Sequence, residues 1–250
     1  MIQLANLNQQ ASQLSIISLT AVIDTALCVG AGGSSGSLAD KPILKNAAGR
    51  LVIPASQLKG RLRHECEKLT RALQLPTCES PVAQTMCPQR AGLPNTFQRS
   101  DYDISSVNAI GEIQHHCFIC QIFGNPSLPS TVLVDDLVCT EAPENLPEVL
   151  RPGVTIDRRR RTAEEKKLYF LETSPANAKL SFEGTILLQS NAPPFAKALI
   201  LAGLQHIHAL GGSKSSGLGW LHWEFPHPDQ LEITDADWTR LKTEVFNEAN

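Results

Sequence analysis

Apolar residues between Leu14 and Val29 fall mainly on alternating positions, Leu14 and Ile16 first, then Leu19, Ala21, Ile23 and Leu27. That is the period of a half-buried strand. Asp24 and several polar residues interrupt the run, which is too short and too broken for a membrane span. A short strand at Leu51-Val-Ile53 stops at Pro54, and Ser56 is placed to cap a helix predicted through about Gln74. Leu58, Leu62, Cys66, Leu69 and Leu73 make its apolar stripe. Thr131 to Cys139 and Ala178 to Gln189 predict two more strands, the second with Leu180, Phe182 and Ile186 on one parity. Pro193 and Pro194 suit the start of an apolar helix from Phe195 to Leu210, for which Gly211 is the expected C-cap. Leu218 to Phe225 reads as a closing strand, and a C-terminal helix is expected from about Asp235.

Two stretches break this pattern. From Leu75 to Pro129 periodicity gives way to Pro, Gly, Asn and Cys, over a length unusual for a connection inside a compact domain. Residues 151–177 are rich in charge. Setting both aside leaves the order strand, helix, strand, strand, helix, strand. It predicts an α+β chain with a ferredoxin-like or RRM-like βαββαβ core, in one domain over residues 1–250 with insertions at 75–129 and 151–177. The chain has 250 residues, 42% of them hydrophobic, enough for a sizeable core.

Charge limits the class of partner. With 22 Lys and Arg against 25 Asp and Glu the net charge is -3, so the chain lacks the overall basic balance of many nucleic-acid binders, and any such site must be local. No basic segment precedes the first apolar run, so a signal peptide is not expected and the expected location is the cytoplasm, with no membrane partner. Seven cysteines, an odd number, suit metal binding or burial better than a disulfide framework there.

Four groups of residues carry candidate chemistry. In Ile53-Pro-Ala-Ser-Gln-Leu-Lys-Gly-Arg-Leu-Arg63 a helix begins where free N–H groups favour an anion, and Lys59 and Arg63, four apart, share a face. An ordinary solvated helix face is the plain alternative. Ala209-Leu-Gly-Gly-Ser-Lys-Ser-Ser-Gly-Leu-Gly219 is able to wrap a phosphate with backbone N–H groups. It has no Gly-Lys-Ser/Thr triplet and runs helix to loop to strand, so it is not a nucleotide P-loop. Arg158 to Arg161 lie between two extended segments and predict a basic-tipped hairpin, or else a solvated charged loop. Cys117 and Cys120 have the two-residue gap that lets both thiolates reach one tetrahedral ion. Cys78 and Cys87 lie in the same insertion and would complete a four-cysteine zinc site whose binding energy supports a segment poor in core residues. His115, His116 and Cys66 are substitute ligands, buried free thiols are the alternative, and Cys28 and Cys139 read as core.

The helix start resembles the Ile-Pro-Gly-Ser-Ser-Leu-Lys-Gly-x-x-Arg signature of RAMP-superfamily proteins, specifically the repeated backbone subunits of type III CRISPR effector complexes, with Ala55 and Gln57 departing from it. In those proteins a glycine-rich loop between the last helix and the last strand contacts RNA, an Ile-Asp-Arg hairpin like that at Ile156-Asp157-Arg158 forms a thumb over the guide, and some members carry Cys-x-x-Cys before a segment like Ile122-Phe-Gly124. The resemblance implies guide RNA, complementary target RNA, neighbouring RAMP subunits and other effector-complex proteins as partners. It implies RNA contacts at Ser56, Lys59, Arg61 and Arg63, at Arg158, Arg159, Arg160 and Arg161, and at Gly211, Gly212, Ser213, Lys214, Ser215 and Ser216. Asp40 lies in an Asp-x-Pro-Ile context similar to that of the aspartate needed for target cutting in cleaving members; it would hold Mg²⁺ or assist a 2′-hydroxyl. The rivals are a catalytically silent scaffold subunit, a guide-processing endonuclease of the same superfamily working through a histidine, and a zinc-stabilised protein-interaction module.

Overall fold

Strand β1, Ser15–Ile23, buries Ile17, Leu19, Ala21 and Ile23, so period-two alternation puts the core on one face. The computed structural model describes residues 14–30, 39–75, 77–82, 85–88, 104–107, 113–231 and 233. β1 ends earlier than the apolar run, because the backbone beyond Ile23 is satisfied by loops instead of a ladder. Leu27 N–H donates to Ser174 Oγ at 2.9 Å, while the Ala26 and Cys28 carbonyls accept from Gly219 and Gly212 at 2.8 and 2.7 Å.

β2, Val52–Ile53, leads into helix α1, Ala55–Ala72. Its stripe buries Leu58, Leu62 and Cys66 completely, each leucine contributing about 1.5–3 kcal/mol. Ser56 is not the cap. Pro54 holds that position without a side-chain cap, and Ser56 stands exposed in the first turn. The Asp136 carboxylate caps from a distance instead, taking the Ala55 N–H at 2.7 Å.

Residues Thr131 to Cys139, expected as one strand, form two. β5, Val132–Val134, and β6, Leu137–Cys139, both pair with β9, Leu180–Leu188, and the chain breaks step at Asp135 and Asp136. Asp135 N–H still reaches Thr185 O at 3.0 Å across the break. β10, Leu221–Glu224, closes the sheet against β1. The order is β10-β1-β9-β6-β2, with every pairing antiparallel. Taking β1, β6, β9 and β10 as the four core strands gives fourth, first, third, second, the ferredoxin-like order.

Helix α3, Ala196–Gln205, is apolar nearly all round and lies against α1. It stops five residues before the expected end, at a His206 C-cap, since Ala209 pairs with Trp220 and the chain is already turning into β10. Gly211 therefore belongs to the following loop, not to the helix cap.

Among the described residues of the cysteine-bearing stretch, β3, Ile104–Val107, pairs with β4, Ile113–His115. A short helix, α2, Phe118–Phe123, follows, which six residues are too few to announce by periodicity. Phe118 meets Phe195 edge to face at 4.9 Å, docking α2 beside the start of α3. β7, Val149–Asp157, and β8, Thr162–Thr173, form a separate two-stranded sheet, longer than the sequence suggests. The helix expected from Asp235, and residues 31–38, lie outside the described residues.

Candidate functional site

The four candidate metal ligands come together. The Sγ atoms of Cys78, Cys87, Cys117 and Cys120 all lie within 4.8 Å of one another, and all four residues are buried. Four sulfurs bound at ~2.3 Å in a tetrahedron sit about 3.8 Å apart, and the Cys78–Cys120 separation is 3.6 Å. The donor set and its spacing thus fit a divalent ion. All four are free thiols. Cys117 stands at the N-cap of α2 and Cys120 in its first turns, which is how Cys-x-x-Cys presents both sulfurs to one point. The Cys117 N–H donates to Cys87 Sγ at 3.3 Å. Cys78 is held far below the usual thiol range by hydrogen bonds from Cys117, Cys120 and Cys87. Cys87 is pushed far above it by the same kind of contact, from Cys117 first. Four thiolates so close repel, and all four can be ionised together only around a cation.

Two of the substitute ligands serve elsewhere. His116 is fully buried with Nδ1 2.8 Å from the Asn125 amide nitrogen, and burial lowers its pKa. Cys66 hydrogen-bonds Leu199 O at 3.5 Å, and burial raises its thiol well above the usual range.

Lys59 and Arg63 share a face of α1, as their spacing predicts, but that face is covered. Lys59 Nζ donates to Ser130 Oγ at 2.8 Å and to Val132 O at 3.2 Å. Burial, with Arg63 nearby, lowers its pKa. Arg63 uses three different nitrogens: Nε to Glu67 at 3.0 Å, Nη1 to Gly124 O at 3.0 Å and Nη2 to Cys120 Sγ at 3.7 Å. Both cations are committed to acceptors within the chain instead of standing ready for successive phosphates. Arg61 pairs with Glu65 at 2.8 Å on a neighbouring face.

The glycine loop is arranged in the opposite way. Residues 212–217 are all exposed, carrying Ser213, Lys214, Ser215 and Ser216 on a 3₁₀ turn. The loop is fixed at both ends by the bonds to Ala26 and Cys28. Gly211 and Gly219 have φ of +89° and +71°, and a Cβ there would lie 2.6 Å from Cys28 O and 1.8 Å from Leu210 O. No other residue fits. Lys214 Nζ reaches Gly211 O at 3.2 Å.

The arginine run forms the tip of the β7–β8 hairpin. Asp157 Oδ1 accepts from the N–H groups of Arg159 and Arg160, at 2.8 and 3.2 Å, and Oδ2 from Arg160 Nε at 2.7 Å. The Arg160 contact chiefly holds the Asp157 carboxyl below its ordinary range. Arg158, Arg159 and Arg161 are exposed around it. Asp40 is also exposed; its Oδ2 accepts the Phe170 N–H at 2.7 Å and its own N–H donates to Phe170 O at 3.0 Å. It ties residues 39–41 to β8.

The sequence reading missed Asp136, whose cap spans 81 residues, and the pair of His222 Nδ1 with Asp24 Oδ2 at 3.0 Å. Nothing local signals either; only the pairing of β1 with β10 brings the second together. Among the described residues no helix is long and apolar enough to cross a membrane. No curated protein matches the chain. A family model described as the RAMP superfamily matches residues 20–222, which run from β1 through the glycine loop into β10. RAMP proteins generally bind CRISPR RNA and partners in a complex. With four fifths of its length matched and the strand order that such a core requires, the chain belongs to the RAMP superfamily.

Proposed function

We propose that the chain is a guide-RNA-binding backbone subunit of a type III CRISPR effector complex, gripping the guide by its sugar-phosphate chain and leaving sequence to pairing with target RNA. The observation that carries this reading is the exposed, end-locked loop at residues 212–217. The N–H groups of Ser213, Lys214 and Ser215, the Ser213 and Ser215 hydroxyls and the Lys214 ammonium, which spends one bond on Gly211 O, are donors suited to phosphate oxygens and not to base edges. Arg158, Arg159 and Arg161 on the hairpin tip form a second cluster, a thumb over the guide, and neighbouring RAMP subunits repeat both contacts along it. Ser56 and Arg61 at the start of α1 add to the grip, while Lys59 and Arg63 act through the fold. The four-cysteine cluster takes zinc as a closed structural site, since thiolates suit it and four protein ligands leave no position open for substrate.

The test is salt-dependent binding of single-stranded RNA by the full chain. Log affinity should fall linearly with log salt, with Lys214→Ala lowering the slope by about 0.7 and alanines at Arg158, Arg159 and Arg161 by about 2. Binding indifferent to salt, or none, would overturn the reading.

Cleavage of the paired target through Asp40 is the second proposal, with a silent scaffold as its rival. The Phe170 N–H on Asp40 Oδ2 gives the rival a concrete basis, because it supplies a structural reason for the carboxylate. A carboxylate here can still hold Mg²⁺ or assist a 2′-hydroxyl through its other oxygen. Asp40→Asn keeps an oxygen for Phe170 and removes the charge; Asp40→Ala removes both. In the assembled complex the nuclease reading expects no target cleavage with either variant while guide binding by Asp40→Asn is unchanged. Cleavage retained by Asp40→Asn leaves the scaffold role.

A further inference from the structure

Arg63 lies one turn beyond Lys59 on α1, its side chain 23% exposed. Each of the three guanidinium nitrogens has its own acceptor, on two pieces of chain: Glu67 on α1 itself, and the Cys120 sulfur and the Gly124 carbonyl on and just past α2. A divalent ion held by four thiolates leaves two negative charges in a buried site, a cost that an adjacent hydrogen-bonded cation offsets. The bond also orients the sulfur, and the Gly124 contact fixes the end of the helix that carries it.

Resting on the reading that the four cysteines hold a metal ion, we infer that Arg63 is a positioning residue of that centre, donating to the Cys120 sulfur and registering the metal-binding segment on helix α1. An arginine is required for this and a lysine is not equivalent. One ammonium cannot reach a carboxylate, a carbonyl and a sulfur in three directions from the end of one stem, whereas the planar fork does so without adjustment.

Purified full-length chain, loaded with Zn²⁺ or with Co²⁺ as a spectroscopic substitute, provides the test. Arg63→Gln should weaken Zn²⁺ affinity about 10- to 100-fold in competition with a chromogenic chelator. The sulfur-to-cobalt charge-transfer band should move to longer wavelength, because a thiolate that loses a hydrogen bond and a nearby cation is a better electron donor. Arg63→Lys should recover part of the affinity, and it serves as the second variant should Arg63→Gln not fold. Lys68→Ala is the control for a loss confined to the helix: it removes a 2.6 Å ion pair with Glu65 on α1 and touches no thiol, so band and affinity should stay at wild-type values. Wild-type Zn²⁺ affinity, within about twofold, and an unmoved band in Arg63→Lys and Arg63→Gln would overturn the inference and leave the metal site standing. Wild-type chain that binds neither ion would overturn both.

Discussion

Helix α1 and the loop at residues 211–219 both set lysine beside glycine and serine, and the fold uses the two in opposite ways. On α1 the cations turn inward: Lys59 onto Ser130 and Val132, Arg63 onto Glu67, Gly124 and Cys120. On the loop the backbone is what is tied down, through Gly212 and Gly219, while residues 213–216 are exposed and Lys214 spends a single bond inside the chain, on Gly211 O. A basic residue in a motif is available to a ligand only if its acceptors inside the chain have not already taken it. Anchoring the main chain and anchoring the side chains are therefore alternative designs, one leaving a surface ready to bind and the other joining two parts of a domain.

The contrast can be pressed hardest by removing the metal. Structural zinc contributes about 10–16 kcal/mol in small zinc-dependent folds, so chelation should abolish amide protection in residues 113–132 and lower it along the first turns of α1. The amides of residues 211–219 should stay slow; hydrogen exchange read by mass spectrometry checks both, and equal loss in the two regions would dissolve the distinction. Gly219→Ala attacks the other side. A Cβ 1.8 Å from Leu210 O at a positive φ should cost about 2–5 kcal/mol in denaturant unfolding and loosen the loop while Zn²⁺ affinity holds. Lys59→Met comes next, at about 1.5–3 kcal/mol for two charge-assisted bonds. Its RNA salt slope should be unchanged, the reverse of Lys214→Ala, whose unfolding free energy should stay within about 0.5 kcal/mol of the parent. Asp136→Ala should cost less than Lys59→Met, about 1 kcal/mol for a lost cap, seen as a shift in thermal midpoint.

Much of this architecture is legible in the chain because it depends on period and short spacing. Leu180, Phe182 and Ile186 alternate with polar neighbours, and β9 buries all three. Leu58, Leu62 and Cys66 repeat at helical intervals and are wholly buried on α1. Cys117 and Cys120 announce a ligand pair by their gap, and Cys78 and Cys87 follow from sharing its insertion. What is not legible depends on contacts between distant segments. A spacing of four puts Lys59 and Arg63 on one face of α1 without saying that residues 120–132 will cover it. The break at Asp135 and Asp136 answers to the helix start and to β9, not to any local signal. Asp40 reads as a turn residue or a catalytic one, and its grip on Phe170 crosses 130 positions.

The placing of the β7–β8 hairpin has a consequence for how this chain tolerates change. The strands before and after it, β6 and β9, are sheet neighbours, with Cys139 facing Phe182. A turn of a few residues would join them, so everything from about Glu141 to Asn177 is an excursion from a connection that is already closed. Loop-closure cost grows only slowly with length, which makes this the place where the chain can be lengthened, shortened or exchanged for another hairpin while the sheet keeps its register. The contacts that would notice include the main-chain pairing of Asp40 and Lys41 with Phe170 and Leu171, the carboxylate of Glu172 on the Ile43 N–H, the two bonds between Leu27 and Ser174, and the ion pairs of Lys45 with Glu148 and Glu172. The reach of the hairpin can thus evolve, or be engineered, separately from the platform that supports it.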